Sequence, residues 1–102
     1  VLVTAPINKE AIQSDSFTFK GHTDYLDSVF EGSSLMFMIT NNLKIGLLTE
    51  HVPLSSIKGL IDQDLISRKI EGIYKSLVND FSISKPKIAV LGLNPHAGEN
   101  GK

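Results

Sequence analysis

Between Asp62 and Phe81 the apolar residues Leu65, Ile66, Ile70, Ile73, Tyr74, Leu77, Val78 and Phe81 recur at three- and four-residue steps. In a strand that spacing would scatter them over both faces, whereas in an α-helix it gathers them into one broad stripe. The spacing therefore predicts the longest helix of the chain, capped by Asp62 and ended where Ser82 to Pro86 break the pattern. Its other face, with Arg68, Lys69, Glu71, Lys75 and Asn79, is predicted to be solvated.

Strands and shorter helices surround this element. Residues 1–4 (VLVT) form a short β-branched run that stops at Ala5-Pro6, where proline removes a hydrogen-bond donor; they read as the first strand. Asn8 is placed to cap a short helix over Lys9 to Gln13, followed by a loop from Ser14 to Gly21. Thr23 is placed to cap a helix over Asp24 to Phe30, ended by Gly32. Residues 34–40 and 44–49 read as two strands of a hairpin, joined by Asn41-Asn42-Leu43, whose asparagines tolerate left-handed geometry. Lys87 to Leu93 (KIAVLGL) reads as a strand apolar on both faces, as in a sheet covered by helices. The fold class expected is α/β, a mixed sheet flanked by helices, without repeats or low-complexity segments.

At 102 residues, 41% apolar and 21% charged, the chain has the make-up of one soluble globular segment. A net charge of −1, with its ten Lys and Arg residues scattered, gives no positive field for a nucleic-acid backbone. The absence of cysteine excludes disulfides and thiolate metal sites within these residues. The apolar runs, such as Leu35 to Ile39 and Ile88 to Leu91, fall well short of the roughly 20 residues that span a bilayer, and no leader pattern precedes them. Neither nucleic acid nor membrane is expected as a partner, and a cytoplasmic setting is. The chain opens directly on a strand-like run and closes on the polar loop Asn94 to Lys102, which predicts a segment cut from a longer protein at an exposed loop.

Three histidines sit in predicted loops or element ends: His22 in GHTDYL, His51 in TEHVPL and His96 in NPHAGE. Neutral imidazole suits zinc and similar divalent ions, and strand-end loops can bring distant residues together. Their separations match no local ligand pattern, so spacing alone favours isolated surface or loop-tying histidines over a shared metal site. Lys9 follows the first predicted strand, where α/β folds place ligand contacts, and could meet a phosphate or share in proton transfer; the pattern alone favours a solvated lysine on a helix face. In NPHAGENG the glycines allow close backbone approach to an anion, but no G-x-G-x-x-G, Walker A, G-x-S-x-G or H-E-x-x-H occurs.

The words VTAPINKE, FKGHTDYL, TEHVPLSSI and LGLNPHAGENG, in this order and at these separations, resemble the 4-hydroxythreonine-4-phosphate dehydrogenase family of pyridoxal phosphate biosynthesis. The resemblance runs the length of the chain and implies the central part of a two-domain enzyme whose fold is like that of isocitrate and isopropylmalate dehydrogenases. It implies a cytoplasmic homodimer that oxidises a phosphorylated hydroxy amino acid with NAD and a divalent metal (zinc, magnesium or cobalt), the product then losing carbon dioxide.

Residue by residue, the resemblance makes His22 and His51 two of three metal-binding histidines. The third lies in a Y-H-D-Q-G motif that these residues do not contain, and the metal site is completed across the dimer. Lys9 is the candidate for phosphate or proton handling, and Asn8, Asn94, His96, Gly98 and Glu99 are expected to line the cleft, with His96 resembling a residue that is not a ligand. The piece by itself is then expected to be inactive. A sister activity on a phosphorylated hydroxy acid such as 4-phosphothreonate, and a non-catalytic α/β binding or assembly module, are the alternatives.

Overall fold

The computed structural model describes residues 2–99. It divides into two compact units, Val1–Ser34 and Leu35–Lys102. Three helices and a small two-stranded antiparallel sheet make up the regular structure of the described residues: α1 (His22–Val29), β1 (Phe37–Ile39), β2 (Lys44–Gly46), α2 (Leu54–Leu60) and α3 (Gln63–Asn79). None of these helices is long and apolar enough to cross a membrane.

In the first unit residues 2–5 form no strand. Leu2 and Val3 are 70% and 87% exposed, and Val1 lies outside the described residues. A β-branched run favours extended backbone but becomes a strand only against a partner edge, and no described residue offers one. Asn8 does cap, its Oδ1 accepting from the Glu10 and Ala11 N–H groups at 3.0 and 3.1 Å. The expected helix after it shrinks to a turn closed by Ile12 N–H donating to Asn8 O at 3.2 Å. So short a segment gains few hydrogen bonds for the residues it must fix.

Helix α1 starts two residues earlier than expected, and Gly21, not Thr23, occupies its N-cap, with no side-chain cap bond. Asp24 in the first turn reaches back to accept from the Lys20 N–H at 3.0 Å, so an acidic side chain replaces the hydroxyl expected there. Past the helix end, Gly32 turns at φ 126° and Asp27 Oδ1 accepts from the Ser34 N–H at 2.7 Å.

In the second unit the hairpin forms with register Phe37↔Gly46, Met38↔Ile45 and Ile39↔Lys44, shorter than the two expected strands. Neither Asn41 nor Asn42 uses a positive φ. Thr40 closes the turn instead: its N–H donates to Leu43 O at 2.8 Å and its Oγ1 accepts from the Leu43 N–H at 3.1 Å. The alternation of a half-buried sheet holds along β2 and is lost at the end of β1, where Ile39 is 52% exposed. Met38 and Ile45 share the outer face at 57% and 45% exposure, while Phe37 and Gly46 share the face turned to α3. A Cβ at Gly46 would stand 2.6 Å from Ile73 Cδ1, so glycine here lets β2 approach the helix. Phe37 meets Phe81 edge-on with ring centroids 6.0 Å apart, and Lys44 Nζ lies 5.1 Å from the centre of the Phe81 ring.

Helix α3 follows its pattern. Asp62 is the N-cap, its Oδ1 accepting from the Leu65 N–H at 2.7 Å, and the stripe turns Leu77, 7% exposed, into the buried apolar centre of the described residues. Truncating this cap, Asp62→Ala, is expected to cost about 1 kcal/mol; faster amide hydrogen exchange in the first turn of α3 in the full-length protein would register it. Glu71 and Lys75 pair at 2.7 Å on the exposed face, which holds the Glu71 carboxyl below the usual carboxylate range. Because that value is lowered, the small contribution of the pair is present at neutral pH and is lost as acid protonates Glu71.

Two expectations fail in this unit. Helix α2 was not expected, and Lys87 to Leu93 form no strand: Val90, Leu91 and Leu93 are 57%, 89% and 62% exposed. A run apolar on both faces belongs inside a covered sheet, and no described residue pairs with it. Among the described residues the sheet is therefore antiparallel and two-stranded, not the mixed sheet expected.

Candidate functional site

In the first unit, the turn after Asn8 and the start of α1 come together. Lys9 Cε lies 3.5 Å from the point where a Cβ at buried Gly21 would stand, so the lysine stem rests on the backbone that launches His22. The Lys9 carbonyl accepts from Gln13 Nε2 at 3.1 Å, and the same side-chain nitrogen donates to Phe19 O at 2.8 Å, tying this turn to the following loop.

His22 is half-buried in an open apolar hollow of about 460 Å³ that it lines with Ile7, Ile12, Phe17 and Tyr25. Phe17, Phe19 and Tyr25 form a three-ring cluster with centroids 5.2 to 5.6 Å apart. Such ring pairs add about 0.5–1.5 kcal/mol each beyond their area, so α1 is held by a stiff aromatic wall. The cluster was not anticipated, although the alternation Phe17-Thr18-Phe19 was its signal.

His51 belongs to the second unit. It is exposed, follows Glu50 directly and has φ 51°, in the left-handed region that non-glycine residues seldom adopt. Glu50 pairs with Lys69 of α3 at 3.9 Å, with both side chains about 15% exposed, so Lys69 departs from the solvated role expected of it. Neither the His22 nor the His51 imidazole makes a hydrogen bond or ion pair among the described residues.

The Asn94–Glu99 segment is a compact turn. Ala97 N–H donates to Asn94 O at 3.2 Å and Glu99 N–H to His96 O at 3.1 Å, with His96 at φ 121° and Gly98 at φ 82°. His96 Nδ1 sits 2.9 Å from Glu99 Oε2, both side chains exposed. The turn folds back so closely that a Cβ on Gly92 would stand 2.9 Å from Ala97 Cβ and 3.3 Å from Asn94 O. Asn100, Gly101 and Lys102, which end this loop, lie outside the described residues.

The candidates thus fall into three local groups: Asn8, Lys9 and His22 in the first unit, and His51 and the Asn94–Glu99 turn in the second. Among the described residues no three His, Asp or Glu side chains gather where they could hold a metal ion. What they offer a divalent ion is unbonded imidazole at His22 and His51, the neutral nitrogen donor such ions accept. His96 offers a different arrangement. Its Nδ1 is engaged by a carboxylate and its Nε2 is left exposed, as in ligating histidines oriented by an outer carboxylate.

All of residues 1–102 match the model of a family described as pyridoxal phosphate biosynthetic protein PdxA. The chain is similar to proteins called 4-hydroxythreonine-4-phosphate dehydrogenase. That of Bacteroides thetaiotaomicron is 45% identical over 99% of this chain and 28% of its own length. Those of a Sulfurihydrogenibium species and Pseudomonas syringae pv. tomato are 43% and 38% identical, each over 98% of this chain and 31% of its own length. The chain therefore spans roughly three-tenths of the relatives it matches.

Proposed function

Because the chain belongs to the pyridoxal phosphate biosynthetic protein PdxA family, we propose that it is the central part of a 4-hydroxythreonine-4-phosphate dehydrogenase. The whole enzyme would be a cytoplasmic homodimer that oxidises 4-phosphooxy-L-threonine to a keto acid, which loses carbon dioxide to give 3-amino-2-oxopropyl phosphate. The observation that carries this reading is the match over 98–99% of the chain, at 38–45% identity, to proteins of that name. The exposed apolar runs at residues 2–4 and 87–93 fit it too. They suit strands of the larger sheet of an isocitrate or isopropylmalate dehydrogenase-like fold, where a run apolar on both faces is covered.

When bound, NAD supplies a hydride acceptor, and a divalent ion (zinc, magnesium or cobalt) supplies a Lewis acid for the substrate hydroxyl and the later keto group. The residues of this chain have the remaining work of holding and orienting. His51 presents an exposed imidazole with both ring nitrogens unengaged among the described residues, which fits a ligand of that ion. Lys9 brings a flexible cation beside the start of α1, suited to a substrate phosphate or to moving a proton. Asn8 fixes the turn that presents Lys9, and the Asn94–Glu99 turn lines the cleft with its backbone held in shape by Gly92 and Gly98.

The second imidazole has two readings. The family resemblance assigns it to His22. A second reading takes His96, whose Nδ1 meets Glu99 Oε2 at 2.9 Å between two exposed side chains, leaving Nε2 for an ion.

The test is NADH formation by the full-length protein from 4-phosphooxy-L-threonine with and without added zinc, magnesium or cobalt. Metal-dependent turnover is expected. Turnover of 4-phosphothreonate alone would move the assignment to that sister substrate, and turnover of neither would leave the binding module. Metal content of the His22→Ala and His96→Ala proteins then separates the two readings: the ligand's variant loses bound metal, and the other retains it while its KM rises.

A further inference from the structure

We infer that the Glu50–Lys69 ion pair is a positioning device for His51, anchoring the peptide that carries this imidazole to α3; the inference rests on the reading of His51 as a metal ligand. Beyond Leu47, whose N–H still donates to Met36 O at 3.1 Å, residues 48–53 form neither helix nor strand, so no regular hydrogen-bond ladder fixes the backbone directly on either side of His51. The imidazole itself has no hydrogen-bond partner among the described residues. Its place is thus set by the backbone that carries its Cβ, and that backbone sits at φ 51°, a conformation that persists in a non-glycine residue only where flanking contacts hold it.

Two such contacts flank it. On the C-terminal side, Pro53 is the N-cap of α2 and its carbonyl accepts from the Ser56 N–H at 2.9 Å. On the N-terminal side, the Glu50 carboxylate meets Lys69 Nζ at 3.9 Å, and the two side chains are only 14% and 15% exposed. A pair so shielded is screened less than a surface pair and constrains its partners more firmly. Lys69 also stands in the interior of α3, a 17-residue helix with a side-chain cap, so the anchor is a rigid element and not another loop. Glu50 and Lys69 do not touch the proposed metal. They act through the backbone of His51, as outer residues act on a ligating imidazole.

Zinc titration of the full-length protein tests this with Glu50→Gln, Lys69→Met and Lys69→Arg, alongside melting of each protein without metal. Glu50→Gln and Lys69→Met are expected to weaken zinc binding about tenfold, and Lys69→Arg, which keeps the charge, to retain most of the affinity. Metal-free melting of Lys69→Arg is expected to stay at the parental temperature; Glu50→Gln, which takes a carboxylate from a shielded ammonium, is expected to melt lower but cooperatively, which keeps the test informative if Lys69→Met fails to fold. Parental zinc affinity in Glu50→Gln would overturn the inference, as would the loss of cooperative metal-free melting in that variant. A His51→Ala control separates the two levels. Parental zinc binding in that variant overturns the ligand reading and this inference with it, whereas lost binding there beside parental binding in Glu50→Gln overturns the positioning role alone.

Discussion

His51→Ala in the full-length protein is expected to lower kcat/KM for 4-phosphooxy-L-threonine by more than about a hundredfold, since residues that merely orient a ligand already account for roughly 10–100-fold. The exposed imidazole of His51 is engaged by no other side chain among the described residues. Its removal should therefore delete the proposed metal bond without opening a cavity or stranding a buried partner. The loss should appear mainly in kcat, because the ion's contribution grows as negative charge develops on the substrate oxygen. Steady-state kinetics across a range of zinc concentrations checks this. A variant within about tenfold of the parent at every concentration would remove His51 from the site.

Leu77→Ala should be the most damaging single truncation in the second unit, costing about 2–3 kcal/mol, the lower part of the range for leucine truncation. Leu77 is 7% exposed, the buried apolar residue of the described set, and its carbonyl accepts from the Ile83 N–H at 2.9 Å just beyond the helix end. The lower part of the range applies because the surrounding stripe is only half-buried, so neighbours can partly close over the space. Tyr74 on the same helix is 49% exposed, and Tyr74→Ala should cost well under half as much. Urea unfolding of the full-length proteins, followed by α3 amide exchange, would compare the two. Equal costs would mean that α3 is not held through Leu77.

How legible each part was follows from the range of the interactions that make it. Helix α3 could be read because its stripe and its Asp62 cap are local, each visible within a few residues. The hairpin could be read for the same reason, although Thr40 and not the asparagines closes its turn. Helix α2 was hidden by Ser55, Ser56 and Gly59, three weak helix formers within its seven residues. Residues 2–4 and 87–93 carry the composition of strands, but pairing is non-local and composition cannot supply the neighbour.

In the candidate site, the motif words singled out Asn8, Lys9, His22, His51 and the Asn94–Glu99 turn. They did not reveal that Lys9 lies on Gly21, that Lys69 leaves its solvated face to meet Glu50, or that Glu99 takes the ring nitrogen of His96. The first is a side chain on backbone and the other two are pairs of side chains, and the apolar spacing that marks helices and strands reports none of them. Thr23 shows the opposite failure: a good capping residue stood in range, yet Gly21 held the cap because the chain enters α1 in an extended conformation there.

The tight return of the Asn94–Glu99 turn onto Gly92 has a consequence for how this segment can vary. The space between positions 92 and 97 admits one β-carbon, and Ala97 occupies it. The two positions are then a single steric unit, and a relative with a side chain at the first should carry glycine at the second if it keeps the same turn. Tolerance to substitution here is a property of the pair, so exchanging the residues, Gly92→Ala with Ala97→Gly, should be milder than Gly92→Ala alone.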